Sequence, residues 1–277
     1  MDYSMLKLEL VDGYATLTFN RPDKRNALSA GMVDELNAAL TEVETGPARV
    51  LILTGEGTAF CAGMDLDELK ALAEASAGHS ILEATITKHE LQRANEAHLL
   101  DSRRMARLFR RVYTFPKPII AAVNGAAIAG GCGLATLCDF TLAVPEARFG
   151  YTEVRIGFIP ALVSVFLIRQ IGEKGARDLL LTGRLLRADE ARSMGLVNEV
   201  VPPERLMERA RELAATLLDA SPTSLVYTKR LLHEFDEKEL ERQLEMALHE
   251  NARIRSTPDF REGLSAFLEK RKPKWRE

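Results

Sequence analysis

Cysteine is scarce in this chain of 277 residues, and its histidines lack the spacings that bind metals. The three cysteines, Cys61, Cys132 and Cys138, include no CxxC pair and are odd in number, so the pattern predicts neither a disulfide framework nor a cysteine zinc site. The five histidines show no HxH, HxxxH or HExxH spacing. We therefore expect buried, reduced thiols and no metal site.

No charge of one sign dominates the chain either. Its net charge is -3, with 28% charged and 46% hydrophobic residues, which is typical of a globular protein with a core and gives no global bias toward nucleic acid. Residues 1–12 show no basic region followed by an uninterrupted apolar run, so a secretory signal is not predicted. The cytoplasm is the expected compartment.

Only one long run lacks charge altogether, from Ile119 to Cys138, and its length is enough for a membrane span. Its interruptions are polar Asn124 and the glycines Gly125, Gly130, Gly131 and Gly133. Because these lie beside strand and loop signals, we interpret the run as a strand over Ile119–Val123, a glycine-rich turn and a helix over Leu134–Cys138. Backbone N–H groups at such a helix start favour an oxyanion or a phosphate.

The rest of the chain alternates apolar strand patterns with amphipathic helix patterns. Predicted strands cover Leu6–Val11, Tyr14–Phe19, Val50–Thr54, Phe140–Val144 and a stretch ending at Val201, with a turn at Arg148–Gly150. Predicted helices cover Met32–Val43, a long helical region over 67–114, Leu162–Ile171 ending at Gly172, and Ala188–Met194. After Pro202-Pro203 the pattern predicts the helices Leu206–Leu218, Pro222–Phe235 and Glu239–Ile254 and a tail helix. We predict a core over 1–201 and a helical region over 202–277.

A second glycine-bearing turn has the same architecture as the first. Ala62-Gly63-Met64 and Ala129-Gly130-Gly131 each follow a buried strand pattern, and each opens a predicted helix. Paired N–H donors from two such turns make an oxyanion hole. Neither turn matches the GxxxxGKS/T phosphate loop or the GxGxxG dinucleotide fingerprint.

Six blocks of the sequence, in order, resemble the enoyl-CoA hydratase/isomerase, or crotonase, superfamily. They are Asn20–Leu28, Ala59–Leu66, Lys117–Gly125, Ala129–Gly133, Cys138–Asp139 and Ala188–Val197. The ordered set covers nearly the whole chain and is more specific than any one block. The resemblance implies an α/β fold, a crotonase-like spiral of repeated strand-strand-helix units with a C-terminal α-helical trimerisation region, and homotrimers that often pair into hexamers.

The resemblance also implies roles for residues of this chain. The backbone N–H groups of Met64 and Gly130 are expected to hold the thioester oxygen of an acyl-CoA and to stabilise an enolate. Further expected substrate-binding residues are Lys24, Arg25, Ala62, Asp65, Gly133 and Lys270, the last reaching the nucleotide part of coenzyme A. Coenzyme A is part of the substrate, so no separate cofactor is expected.

The catalytic carboxylates depart from the best-known pattern of that family. Two-glutamate hydratases carry one glutamate where this chain has Gly133 and the other where it has Glu153. One carboxylate in an apolar pocket suffices to move a proton, whereas hydration also needs a positioned water. The alternative for Glu153 is a surface carboxylate paired with Arg155. Candidates to replace the missing acid are Glu83, Glu90 and Glu96.

Three further segments look like methylglutaconyl-CoA hydratase-type bacterial proteins of leucine breakdown: Glu153–Phe166, Ile171–Arg177 and Glu262–Trp275. We therefore expect hydration of a 2-enoyl-CoA, such as the branched methylglutaconyl-CoA, to a 3-hydroxyacyl-CoA. Two alternatives are an enoyl-CoA isomerase that uses one glutamate and a non-catalytic acyl-CoA- or RNA-binding member. The arginines available for RNA have a spacing more typical of a solvated helix face or a subunit contact. They are Arg93, Arg103, Arg104, Arg107, Arg110 and Arg111.

Overall fold

A computed structural model of the chain describes residues 3–11, 13–76 and 88–275, with side chains described for all of these except 72–76 and 88–95. Glu83 therefore lies outside the described residues, as do the side chains of Glu90 and Arg93. Within the described residues the chain folds into two β-sheets covered by helices.

The strands form one six-stranded and one four-stranded sheet. They are β1 Leu6–Val11, β2 Tyr14–Phe19, β3 Val50–Gly55, β4 Ala59–Cys61, β5 Ile119–Val123, β6 Ala126–Ile128, β7 Phe140–Ala143, β8 Arg148–Gly150, β9 Leu186–Arg187 and β10 Glu199–Val200. The large sheet has the order β1-β2-β3-β5-β7-β10, and the small sheet has the order β4-β6-β8-β9.

The described residues contain ten α-helices. They are α1 Ala30–Thr45, α2 Leu66–Ser76, α3 Lys88–Tyr113, α4 Gly130–Leu137, α5 Ala161–Thr182, α6 Ala188–Ser193, α7 Leu206–Leu218, α8 Pro222–Glu234, α9 Glu237–Ile254 and α10 Pro258–Leu268. Short 3-10 helices lie at Pro22–Lys24, Glu153–Ile156 and Pro203–Arg205.

Apolar periodicity accounts for most of these elements. β1 and β2 form the predicted antiparallel hairpin, while β2, β3, β5 and β7 run parallel. Every residue of β5 is buried, as expected for a parallel strand covered on both faces. Helix α1 begins where the Ser29 hydroxyl accepts a hydrogen bond from the Met32 N–H, and it ends before Gly46.

Three strands of the large sheet are each followed by a short strand of the small sheet and then by a helix. The units are β3-β4-α2, β5-β6-α4 and β7-β8-α5, and the short strands β4, β6 and β8 pair in parallel. The predicted spiral of strand-strand-helix units is thereby confirmed. The turn predicted at Arg148–Gly150 was wrong, because these residues form β8, which pairs with β6 and β9.

One helix boundary was predicted wrongly. α4 begins at Gly130 rather than at Leu134, because a Cβ at Gly131 would collide with the Cys61 carbonyl and tertiary packing outweighs the poor helix propensity of glycine. The helix end predicted at Gly172 is confirmed. Gly172 has the non-helical angles φ 71° and ψ 168°, and a second helical segment of α5 continues from there to Thr182.

The chain after residue 201 is helical, as predicted. α7 packs against β3, β5 and β7, and α9 packs against α3 and α5. The division between a core over 1–201 and an oligomerisation region over 202–277 stays a prediction. The uncharged run Ile119–Cys138 folds as β5, β6 and α4. Among the described residues, no helix has both the length and the apolar character that crossing a bilayer requires.

Candidate active site

A cavity of about 430 Å³ opens among the loop after β2, the turn after β4, helix α3 and the segment between β8 and α5. Its apolar lining includes Met105, Phe109, Ile156, Phe158 and Leu162. It also brings together seven of the predicted site residues, namely Lys24, Arg25, Ala62, Met64, Asp65, Gly130 and Glu153. The two turns and the carboxylate predicted to be catalytic therefore share one apolar cavity.

The turn after β4 presents the N–H of Met64. Gly63 has φ 92°, which glycine adopts without strain. The Leu28 N–H donates to the Gly63 carbonyl at 2.7 Å, and the Asp65 N–H donates to the Leu28 carbonyl at 2.9 Å. Between these two bonds, the Met64 N–H has no protein acceptor within the part of the chain that the structure describes.

The turn after β6 presents the N–H of Gly130 at the start of α4. Ala129 has φ 51° and ψ −124°, a conformation that costs a non-glycine residue about 1–3 kcal/mol. Its N–H donates to the Gly150 carbonyl at 2.7 Å, which fixes the strained residue to β8. The Gly130 N–H, at the positive end of the helix dipole, has no acceptor in the described ranges.

The two turns lie against each other. A Cβ placed on Gly63 would come within 2.9 Å of the Ile128 carbonyl oxygen and 3.6 Å of the Gly130 nitrogen. Such an approach is open only to glycine, and it brings the Met64 and Gly130 donors to the same end of the cavity. Two preorganised N–H groups at one point are the arrangement that stabilises an oxyanion.

Polar contacts hold the first turn in place, and sequence reasoning missed two of the residues that make them. Arg21 forms an ion pair with Asp65 at 2.9 Å and donates to the Ala27 carbonyl at 2.6 Å. Asn26 is fully buried and donates from its amide nitrogen to the Ala59 carbonyl at 2.8 Å. These contacts tie the loop after β2 to β4 and its turn. No local sequence pattern marks either residue, because their partners are far along the chain.

Asp65 was predicted to bind substrate, and that role stays a prediction. Its carboxylate is occupied by Arg21, and its Oδ1 accepts from the Asp67 N–H at 3.2 Å at the start of α2. The structure therefore gives Asp65 two positioning contacts at the edge of the cavity.

The predicted coenzyme A edge lies at the mouth of the cavity. Lys24 pairs with Asp67 at 2.8 Å, and this hydrogen bond raises the pKa of the lysine. The Arg25 side chain is exposed, and its carbonyl accepts from the Ala62 N–H at 3.0 Å. Lys270 is exposed and follows Phe267 and Leu268, which line the cavity, but it does not line the cavity itself. Contacts of these residues with coenzyme A stay predictions.

Glu153 lies at the beginning of the 3-10 helix after β8, with 8% of its surface exposed. Its Oε2 atom is buried without a protein hydrogen-bond partner among the described residues. Burial raises the pKa of Glu153 from 4.5 to about 7, against a smaller lowering by its own backbone N–H. The alternative of a surface carboxylate paired with Arg155 is therefore wrong.

Gly133 is buried in α4 with two side chains packed on it. A Cβ at this position would lie 2.6 Å from Val163 Cγ1 and 3.7 Å from Phe109 Cε1. Val163 and Phe109 therefore take up the space into which a glutamate side chain would begin. Gly133 itself does not line the cavity, although Val163 and Phe109 do.

Nothing in the described residues supplies a second free carboxylate beside Glu153. Glu96 is exposed and does not line the cavity. Asp65 and Asp67 do line it, but they pair with Arg21 and Lys24. Among the cavity residues that the structure describes, Glu153 is thus the one carboxylate with a buried oxygen that lacks a hydrogen-bond partner.

Three of the arginines on α3 are paired with acidic residues. Arg104 pairs with Asp34 at 3.5 Å, and Arg111 pairs with Glu44 at 3.1 Å. Arg110 pairs with Glu241 of α9 at 2.5 Å. These contacts to α1 and α9 are those of a helix packed against its own neighbours, and they reduce the positive potential that RNA binding needs.

Comparisons with known proteins agree with this geometry. The sequence model of the enoyl-CoA hydratase/isomerase family matches residues 9–91 and 76–277. A Thermus thermophilus protein named "Putative enoyl-CoA hydratase" is 45% identical over 270 residues, covering 97% of this chain and 100% of its own length. The crotonyl-CoA hydratase of Syntrophomonas wolfei is 34% identical over 275 residues, with 98% of both chains covered. The crystal structure of an enoyl-CoA hydratase from Mycobacterium avium superposes with a TM-score of 0.83 at 31% identity, covering all of both chains.

Proposed function

The chain belongs to the enoyl-CoA hydratase/isomerase family, and on that premise we propose that its cavity adds water to a 2-enoyl-CoA to give a 3-hydroxyacyl-CoA. Relatives at 32–45% identity over nearly the full chain support this reaction. One observation carries the proposal: two unpartnered N–H donors, at Met64 and Gly130, share an apolar cavity with the buried carboxylate of Glu153.

In the proposed reaction the two donors act on the thioester oxygen. When the oxygen of water bonds to C3, the electrons of the C2=C3 double bond move toward C1 and charge builds on the thioester oxygen. Because the Met64 and Gly130 N–H groups are already oriented, they stabilise this enolate more than the neutral thioester. Loss of one such donor typically costs about 10²–10³ in rate.

Glu153 transfers the proton from water to C2 in this proposal. Its carboxylate accepts a proton from the attacking water and then delivers that proton to C2, so the enolate collapses to the 3-hydroxyacyl thioester with no net proton change. A pKa of about 7 suits both steps, because the group is a competent base and a competent acid near neutral pH. One carboxylate thus performs both transfers, and Gly133 needs no acidic replacement.

For the acyl group, we propose a short branched 2-enoyl-CoA such as methylglutaconyl-CoA. The segments quoted above that look like methylglutaconyl-CoA hydratase-type proteins support it, and so does a cavity of about 430 Å³ whose lining includes Phe109, Phe158 and Leu162. Leucine breakdown would be the corresponding pathway.

Loss of the conjugated-enone absorbance of crotonyl-CoA tests the proposed reaction. We expect the wild type to remove it with formation of 3-hydroxybutyryl-CoA, and Glu153→Gln to be slowed by at least about 10²-fold because the proton acceptor is gone. The exposed Glu146→Gln is the matched control and should retain full activity. Undiminished activity of the Glu153 variant would contradict the assigned role.

An isomerase is the second candidate, and the single unpartnered carboxylate favours it. Glu153 could carry one proton from C2 to C4 of a 3-enoyl-CoA, which moves the double bond without any water. If 3-hexenoyl-CoA becomes conjugated while crotonyl-CoA yields no hydroxyacyl product, the isomerase replaces the hydratase. Production of the hydroxyacyl thioester from crotonyl-CoA supports the hydratase.

We also propose a homotrimer, or a hexamer of paired trimers, in the cytoplasm. Exposed apolar side chains are concentrated in the second half of the chain, including Tyr227, Leu231, Leu232 and Phe235 at α8. Such a patch supports a subunit contact in the helical region. The three buried free thiols suit a reducing compartment.

A further inference from the structure

A buried polar network lies beside the cavity, on α9 and α3, and the proposed reaction does not use it. Asn251 of α9 is 5% exposed and lines the cavity. Its Oδ1 lies 2.8 Å from the hydroxyl of Ser102 on α3 and 3.1 Å from a guanidinium nitrogen of Arg255. Arg255 is itself buried and pairs with Asp101 at 2.7 Å.

The network fixes which end of the Asn251 amide faces Arg255. Arg255 can only donate, so the amide atom beside it must be the oxygen; turning the amide over would set two donors against each other. The Nδ2 atom is thereby directed away from Arg255, and it has no protein acceptor among the described residues. Asn251 thus has an N–H donor without a partner, and its side chain is more than nine-tenths buried and lines the cavity.

The position of this donor relative to the oxyanion hole follows from α3. Met105 lines the cavity, and its Cε would lie 3.9 Å from a Cβ on Gly130. Ser102, which holds Asn251, is one turn earlier on the same helix, a displacement of about 4.5 Å along the axis. A fully extended acyl chain covers a similar distance from its C1 to its C5. An acyl chain that runs along α3 from the two N–H donors would bring its C5 to the level of the Asn251 amide.

The chemistry of the network specifies the group that it would recognise. Asn251 offers a donor, and a donation from Arg255 to Oδ1 polarises the amide and strengthens its N–H. In an apolar cavity, an acyl chain without an acceptor would leave that N–H buried and unpaired, which is unfavourable. An oxygen acceptor on the chain would satisfy it.

We propose that Asn251 is a specificity residue, which donates from Nδ2 to an oxygen carried near C5 of the acyl chain. The proposal rests on the proposed function only in that the acyl group of a CoA thioester enters this cavity. Ser102 and Arg255 are positioning residues, since they act on the substrate through the Asn251 amide.

Binding of saturated thioesters tests the proposal without any turnover. We would measure the dissociation constants of 5-oxohexanoyl-CoA and of its apolar counterpart 5-methylhexanoyl-CoA by calorimetry, with glutaryl-CoA as the charged acceptor. The keto preference is the dissociation constant of 5-methylhexanoyl-CoA divided by that of 5-oxohexanoyl-CoA. It should fall about tenfold in Asn251→Leu, which is the effect of losing one of the stronger hydrogen bonds. The affinity for glutaryl-CoA should fall as well, and 5-methylhexanoyl-CoA should bind as before or more tightly.

Two further variants separate recognition from folding. Asn251→Asp keeps the oxygen that Ser102 and Arg255 hold but replaces the donor with an acceptor, so it should remain folded and lose the keto preference. Ser102→Ala removes a network member that does not line the cavity, and it should lower stability while most of the preference survives. If both Asn251 variants bind the keto and apolar chains in the wild-type ratio, the proposal is overturned.

Crotonyl-CoA turnover distinguishes failure of this proposal from failure of the proposed function. Crotonyl-CoA has no C5, so Asn251→Leu should lower kcat for its hydration by a smaller factor than it lowers the keto preference. A much larger drop in kcat would mean that Asn251 serves the common chemical step, and would overturn a specificity role. If the wild type were inactive as a hydratase, the proposed function would fail, but the binding measurements would still test the role of Asn251 because they need no turnover.

Discussion

Glu153 has a raised pKa because of where its side chain lies, and no charged neighbour is needed to explain it. Burial brings its pKa to about 7, and no cation pairs with it among the described residues. Because such a group is present in both protonation states near neutral pH, it can take a proton from water and give one to carbon. At the residue scale, the raised pKa on which the proposed role depends is thus a consequence of burying an acid without a partner.

The same burial makes Glu153 a source of instability at high pH. A folded-state pKa of about 7 against 4.5 in the unfolded chain means that the folded state binds the proton more tightly, so stability is full below pH 4.5 and falls as pH rises through 7. Glu153→Gln should therefore gain stability over the wild type at pH 8, by on the order of 3 kcal/mol, and gain little at pH 4.5.

Urea unfolding of both proteins at pH 4.5 and pH 8 measures this difference. The exposed Glu146→Gln is the control, and its effect should be the same at both pH values. A Glu153→Gln effect that does not grow with pH would show that the carboxyl titrates normally in the folded protein.

Gly133 gives a second prediction at this scale. Alanine usually stabilises a helix relative to glycine by up to about 1 kcal/mol. Here the added Cβ would lie 2.6 Å from Val163 Cγ1, so Gly133→Ala should instead destabilise by about 1–3 kcal/mol. When Gly133→Ala is combined with Val163→Ala, this loss of stability should largely disappear. Denaturant unfolding of the wild type, the two single variants and the double variant would measure the coupling. Val165 is also buried in α5 but lies farther from Gly133, so the effects of Val165→Ala and Gly133→Ala on the free energy of unfolding should be additive.

At the scale of elements, the two turns of the proposed oxyanion hole are each fixed by a different neighbour. Ala129 is held by Gly150 of β8, and the Met64 turn is held by Leu28 and by the Arg21–Asp65 ion pair. The strained backbone of Ala129 is a cost accepted directly before the Gly130 N–H, one of the two donors at the cavity. Each donor is thus aimed by contacts that lie outside its own turn.

Gly63→Ala should disable this arrangement. Its φ of 92° disfavours a side chain by about 1–2 kcal/mol, and the new Cβ would meet the Ile128 carbonyl at 2.9 Å and push the turns apart. We expect kcat for crotonyl-CoA to fall at least about 10²-fold. Gly57→Ala is a matched control, because it has φ 78° in a neighbouring turn and would contact Pro22 instead. Equal kinetic losses in the two variants would show that the effect is general strain and not loss of the oxyanion hole.

At the scale of the whole molecule, the sequence predicts the large sheet and most helices well. The hairpin, β5 and α7 have the predicted bounds, because their apolar periods are uninterrupted. The small sheet was missed, since β4, β6 and β8 have three residues each and show no period. The start of α4 was predicted four residues too late, because its first turn contains glycines that allow close packing but have low helix propensity.

For the site, the backbone donors and Glu153 came from a resemblance carried by ordered local blocks. Their surroundings could not be predicted in this way. That Val163 packs on Gly133 depends on how α5 crosses α4, and the Asn251 network joins residues about 150 positions apart in sequence. Contacts of that kind leave no local pattern, so the structure was needed to find them.

An oligomer prediction belongs to this scale. Leu232 and Phe235 are 61% and 73% exposed at the end of α8, so burying them in a neighbour would be favourable. Leu232→Glu with Phe235→Glu should shift a trimer to monomer in size-exclusion chromatography with light scattering. Leu10→Glu, on the exposed edge strand β1, is the control and should leave the mass unchanged. A wild type of monomer mass would contradict the prediction directly.

The pairing of β4 with β6 has a consequence for how substrate selectivity can change among proteins of this fold. Met64 follows the end of β4 by three residues and Gly130 follows the end of β6 by two, and the two strands are parallel neighbours. Adjacent strands are about 4.8 Å apart in any sheet, so backbone hydrogen bonding between β4 and β6 constrains the distance between the two N–H donors. Substitutions on α3, α5 and α9 can change which acyl group the cavity accepts without altering that distance. Substrate selectivity can therefore change while the proposed catalytic geometry is kept.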